Sequence, residues 1–137
     1  MANFIYTKGK EKFLAGTLSW TTHDIKLLLV KASYVQNAAT DEFLSIIAGG
    51  DRITGSTSAN FANKAVTGAV VTADPVTLTG VGAGQAAVAI VVYRDTGVEA
   101  TSPLICYLDT ATGLPFTTSG ANISITFTSG VFSWTGC

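Results

Sequence analysis

One phrase occurs twice in this chain: an apolar β-type run that ends at a tyrosine and breaks into an Asp-Thr turn closed by glycine. It reads Ala89-Ile90-Val91-Val92-Tyr93-Arg94-Asp95-Thr96-Gly97, then Leu104-Ile105-Cys106-Tyr107-Leu108-Asp109-Thr110-Ala111-Thr112-Gly113. Asp bonds backbone amides two residues on and Gly supplies positive φ, so both phrases read as strands running into tight turns. Helical crossovers between such strands are missing from the second half, which excludes a parallel α/β layout.

The rest of the chain fits that reading. Leu27-Leu28-Leu29-Val30 is continuous rather than alternating and predicts a strand covered on both faces, within Ile25 to Lys31. Thr17 to Trp20, Arg52 to Ser56, Ala65 to Val71, Val76 to Thr79, Ala86 to Tyr93, Leu104 to Leu108, Asn122 to Thr128 and Val131 to Trp134 are the other predicted strands. In Ile123-Ser124-Ile125-Thr126-Phe127-Thr128 the alternation places Ile123, Ile125 and Phe127 on a core face.

Two short helices are expected in the N-terminal half. Asn3 is placed to cap the first, with Phe4, Ile5, Phe13 and Leu14 at helical spacing, Gly16 as its stop, and Gly9 weakening it by about 1 kcal/mol. Thr40 to Gly49 has a hydroxyl cap, Asp41 and Glu42 in its first turn and a glycine stop. The fold class is therefore mainly β, a β-sandwich or jelly-roll-like barrel, with residues 1–137 as one domain and 1–16 as a helical N-terminal arm.

Composition narrows the function classes. At 137 residues the chain can bury a core of its own. Charged residues are 12%, about half the usual share, while hydrophobic residues at 47% are ordinary. Thr, Ser, Ala and Gly take the place of charge, and hydroxyls are less costly to bury against protein than ions are. Residues 110–137 carry no acidic or basic side chain apart from the terminal cysteine, so that stretch reads as strand inside the domain or at a subunit contact.

A net charge of −1, with Lys8, Lys10 and Lys12 interrupted by Glu11, argues against nucleic acid. No apolar run is long enough for a membrane helix, and the charged opening does not read as a secretory signal, so folding in the host cytoplasm is expected. Cys106 and Cys137, with no second pair, do not make a metal site, and reduced thiols are expected.

Candidate chemistry is sparse. His23 lies in a polar turn, and no nucleophile elbow accompanies the many serines. Asp95-Thr96-Gly97 matches the tripeptide of aspartic proteases, but Val98-Glu99-Ala100-Thr101-Ser102 replaces the apolar wrapping such a dyad needs, so it reads as a turn. Gly80-Val81-Gly82-Ala83-Gly84 precedes a strand rather than a helix and lacks the P-loop lysine. Asp74, Asp95, Glu99 and Asp109 have no EF-hand spacing. No catalytic residue, cofactor or metal is assigned, and an enzyme is not expected.

The order of phrases carries a resemblance. Ala2-Asn3-Phe4-Ile5-Tyr6, Lys8-Gly9, Phe13-Leu14-Ala15-Gly16, Trp20, the Ile25 to Val30 run and Phe43-Leu44-Ser45-Ile46-Ile47 come first. Val92-Tyr93-Arg94-Asp95-Thr96-Gly97, Ser102-Pro103-Leu104-Ile105-Cys106-Tyr107-Leu108-Asp109 and Thr112-Gly113-Leu114-Pro115 follow. This order resembles a family of small virion proteins of tailed bacteriophages, several of them head decoration or cement proteins. Ser129 to Cys137 is shorter and less polar than that family's pattern.

The resemblance implies a β-rich protein present in many copies on the capsid surface, bound to the major capsid protein, itself a homo-oligomer, trimer or dimer. Phe4, Phe13, Trp20, Tyr34, Phe132 and Trp134 are the aromatic anchors expected at its interfaces, with plain core packing as the alternative for each. A tail or head-fibre component that binds a receptor or glycan through Tyr93, Asp95, Asn122 and Trp134 is the second expectation.

Overall fold

A computed structural model describes residues 3–109, 114–127 and 130–133, the side chains of 132 and 133 excepted. The fold is small and β-rich, with one α-helix and antiparallel sheets, and among the described residues no sheet closes into a barrel.

Its centre is a four-stranded sheet of β1 (Phe4–Ile5), β2 (Ile25–Val30), β7 (Ala89–Arg94) and β8 (Leu104–Leu108), in the order β1-β8-β7-β2. Between β2 and β7 lie the short strands β3 (Ala65–Thr67), β4 (Val70–Thr72), β5 (Val76–Leu78) and β6 (Ala86–Ala87). After β8 come β9 (Phe116–Thr117), β10 (Ile123–Ile125) and β11 (Phe132–Ser133). These make three small sheets: β11-β4-β3, β10-β5 and β6-β9.

The expected double coverage of Leu27 to Val30 is what the structure has. Ile25, Leu27 and Leu29, with Ile90, Val92, Cys106 and Leu108, face a first core completed by Trp20, Phe61, Leu78 and Ile125. Leu28, Val30, Ala89, Val91, Tyr93, Leu104 and Tyr107 face a second core with Tyr6, Tyr34, Leu44 and Ile47. Strands buried on both sides need apolar residues at consecutive positions, which explains the absence of alternation. A register shift beside Val92 and Tyr93 leaves Ile105 unmatched, so Ile105 and Cys106 both join the first core while Leu104 and Tyr107 stay in the second.

All four tyrosines of the chain lie in that second core. The sheet thus has an aliphatic face and a phenolic one.

Several expected elements take other forms. Phe4 and Ile5 pair with Tyr107 and Cys106 as a strand, and Asn3 accepts the Asp109 amide at 2.9 Å instead of capping a helix. The helix α1 runs from Thr7 to Leu14 and lies on β8 through Gly9. Within the stretch expected to form an arm, Tyr6 is fully buried and its amide bonds the Ile105 carbonyl.

Thr40 to Gly49 does not form an α-helix; Leu44–Ile46 coils as a single 3-10 turn, and a second one, Gly49–Asp51, begins at its end. The caps were correct local chemistry, but Leu104 N–H takes the Glu42 carbonyl, Leu44 N–H takes the Ser102 carbonyl, and Phe43 bridges Pro103. Pairing along the start of β8 overrides helix propensity there.

Residues 17–20 are irregular and lead into a turn instead of forming a strand, and residues 65–72 are a hairpin rather than one strand. Ala86 to Tyr93 is interrupted at Val88. Ile123 and Phe127 are half-buried, Ile125 is buried, and Ser124 and Thr126 are exposed, as the alternation requires. The prediction for Val131 to Trp134 is met by β11, while Trp134 lies outside the described residues.

Arg52 to Ser56 is not a strand, yet residues 51–61 run along the outer edge of β2. Ile53, Ser58 and Phe61 donate their amides to the carbonyls of Leu29, Leu27 and Ile25. In return the Leu29 and Leu27 amides donate to the hydroxyls of Ser56 and Ser58, each at 3.0 Å. Two buried serines two residues apart therefore do the work of a fifth strand's carbonyls.

Candidate interaction surface

Asp95 begins where β7 ends, and its geometry is that of a turn. Oδ1 accepts the Gly97 amide at 2.9 Å, with Gly97 at φ 87°, and Oδ2 pairs with Lys26 at 2.7 Å. The Lys26 bond, followed by the Gly97 amide, holds this carboxyl below its ordinary range. Both oxygens are engaged, and Thr96 Oγ1 is 2.7 Å from Thr101 Oγ1 and 3.1 Å from Ser102 Oγ. The Asp-Thr-Gly motif closes its own loop.

Behind the surface, the phenolic face holds a buried relay. Tyr34 donates to Asp41 Oδ2 at 2.7 Å, and the Asn37 amide reaches the same oxygen at 2.9 Å. A phenol has one proton, so in the 2.8 Å contact between Tyr6 and Tyr34 it is Tyr6 that donates. Burial is the first cause that raises the pKa of both phenols. Asp41, expected as a helix-start acid, instead closes the loop after β2 on Tyr34 and Asn37, and Tyr34 in turn ties that loop to Tyr6 before α1.

The expected anchors divide into distinct environments. Phe4 is half-buried, stacked on Tyr107 with centroids 5.1 Å apart and planes 12° from parallel. Phe13 is half-buried against the first core. Trp20 is buried, its ring against Phe61 and its indole N–H on the Thr72 carbonyl at 3.0 Å. Tyr34 is buried in the relay. Phe132 belongs to β11, where only its backbone is described, and Trp134 lies outside the described residues. Of the residues expected to touch a glycan, Tyr93 is buried, Asp95 is paired with Lys26 and Asn122 is exposed.

Among the described residues the exposed large apolar side chains are aliphatic, and aromatic-led reasoning missed them. Leu14, Val35, Ile46, Val66 and Val98 are 54–83% exposed. The turns at Leu44–Ile46 and Glu99–Thr101 lie side by side, joined through Arg52. No sequence signal separates these aliphatics from core ones; only Val98, after Asp95-Thr96-Gly97, sits where a turn foretells exposure.

Cys106 is a free, fully buried thiol whose pKa burial pushes up, which makes it inert. Among the described residues no group of three His, Cys, Asp or Glu side chains is placed to hold a metal, and no helix is long and apolar enough to cross a membrane. Comparison with protein-family models, curated proteins and solved structures returned no match.

Proposed function

We propose that this protein is a virion structural component, a decoration or cement protein that binds the outer surface of the major capsid protein and stabilises the shell. In this reading its fold is an irregular β-sandwich, the central sheet packed against the small sheets across the first core. The virion assignment rests on the resemblance of the ordered phrases to those of the tailed-bacteriophage family.

The structural observation that supports assembly is the surface itself: among the described residues five bare aliphatic side chains, 54–83% exposed, in a chain with only 12% charged residues. A surface poor in charge and rich in hydroxyls is inexpensive to desolvate against protein.

A cement protein binds where capsid subunits meet, so opening the shell must also break its contacts. Each contact can be weak when one dimer or trimer touches several subunits. Copy number in purified particles tests the reading. Quantitative mass spectrometry is expected to find the protein at a fixed ratio to the major capsid protein. A handful of copies per particle would overturn the capsid-wide role and favour a tail or head-fibre position.

A further inference from the structure

We infer that the corner formed by Lys64, Arg94 and the turn Thr17–His23 binds a carboxylate group carried by a partner protein. Two cations from distant parts of the chain hold the two ends of this turn. Arg94 Nη1 donates to the Thr17 carbonyl at 3.4 Å, a long bond, and the Lys64 ammonium donates to the His23 carbonyl. Between them the turn is closed on itself, with the Ser19 amide on His23 Nδ1 at 2.9 Å and the His23 amide on the Ser19 carbonyl at 3.2 Å. Its middle is fixed by the Trp20 indole on Thr72. The cations are therefore presented on a rigid support.

Charge at this corner is unbalanced. Lys8, Lys12, Lys26 and Arg52 each have an acidic partner, whereas among the described residues no ion pair involves Lys64 or Arg94, nor Lys10 or Lys31 elsewhere in the chain. Arg94 Nε is moreover buried with no acceptor, an unusual state for a guanidinium. Asp95, next in sequence, is committed to Lys26 and Gly97.

Asp24 is the one acid whose charge acts on both His23 and Lys64. Counted together around His23, Lys64, Arg94 and Asp24 leave a single excess positive charge. That matches one carboxylate, while a phosphate dianion would reverse the sign of the corner. Because Nδ1 accepts, the neutral His23 ring carries its proton on Nε2 and offers a further donor. That the carboxylate belongs to a protein rests on the assembly reading above; the charge argument does not.

His23 provides the reporter. Burial first, then the charges of Arg94 and Lys64, hold its pKa below the ordinary histidine value, so a bound anion raises it. The isolated chain is titrated with sodium acetate against sodium chloride at constant ionic strength, following the His23 ring and the Arg94 Nε–H by NMR. A saturable acetate-specific shift and a higher His23 midpoint are expected, with apparent affinity about threefold weaker in Lys64→Gln, a substitution at a half-buried lysine outside both cores.

Equal linear drifts in acetate and chloride overturn the site, as does an unchanged response in Lys64→Gln. Saturation by inorganic phosphate but not acetate overturns the carboxylate assignment. If acetate binds as expected, yet Lys64→Gln protein occupies purified particles as fully as the wild type, the protein-borne carboxylate is wrong. The acetate arm needs no particle, so its failure is separate from failure of the virion reading.

Discussion

Arg52 and Glu99 meet in a two-bond fork, Nη1 on one carboxylate oxygen at 2.9 Å and Nη2 on the other at 2.8 Å. The same guanidinium donates to the Leu44 carbonyl at 2.9 Å and the Ile47 carbonyl at 3.0 Å. The carboxylate end is in water and the carbonyl end is not: the Arg52 side chain is 20% exposed and that of Glu99 56%. Arg52→Ala is expected to cost about 2 kcal/mol and Glu99→Gln less than about 1 kcal/mol, measured by urea unfolding. An equal or larger loss for Glu99→Gln would show that the ion pair, not the carbonyl staple, holds the turns together.

Ser58→Ala removes the acceptor of the buried Leu27 amide, and Ser56→Ala does the same to Leu29. Leaving a buried donor unpaired costs about 1–3 kcal/mol. Hydrogen exchange locates the effect: the Leu27 amide should be strongly protected in the wild type and exchange faster in Ser58→Ala. Unaltered protection in both variants would mean that these hydroxyls do not close the edge of β2.

Gly9→Ala should destabilise although alanine is the better helix former. A Cβ at residue 9 would lie 2.6 Å from the Leu104 carbonyl oxygen, a backbone atom that moves only with β8. The expected loss is about 1–3 kcal/mol, offset in part by about 1 kcal/mol of helix propensity. A raised melting temperature would show that α1 does not sit as close to β8 as described.

The phenolic face makes an alkaline prediction. Burial is the leading cause that raises all four tyrosines, and Tyr93 is pushed up from 10.0 to about 12. Between those values the unfolded chain has lost phenolic protons that the folded one keeps. Stability is therefore full below pH 10 and falls as pH rises through the folded values. Absorbance at 295 nm should stay flat past pH 10 and then rise together with loss of circular dichroism. Gradual phenolate formation near pH 10 in a still-folded protein would contradict it.

What the sequence disclosed was largely its burial pattern. The unbroken Leu27 to Val30 run carries two-sided coverage in its own composition, and Asp95-Thr96-Gly97 encodes a turn within three residues. Thr40 to Gly49 misled because its helix signals are local, whereas the pairing of Glu42 and Leu44 with Ser102 and Leu104 depends on a segment about sixty residues away. Asn3 misled similarly, since its acceptor oxygen goes to Asp109. Ser56-Thr57-Ser58 did contain a usable signal: period-two spacing aims both hydroxyls one way, though nothing local names Leu27 and Leu29 as donors. Among the expected anchors, Trp20 and Tyr34 turn inward for the same reason they attract attention, their large apolar area.

The two-sided burial of the central sheet has a consequence for recognition. One face lies under aliphatic side chains, the other under tyrosines, and the β2 edge is filled by serine hydroxyls. A visiting molecule finds no open plane there to lie against. Among the described residues, what surrounds that sheet on the outside is a rim of turns and short hairpins such as Leu44–Ile46, Glu99–Thr101 and residues 65–72. Such a layout lets the rim residues change freely while the slab that carries them stays the same.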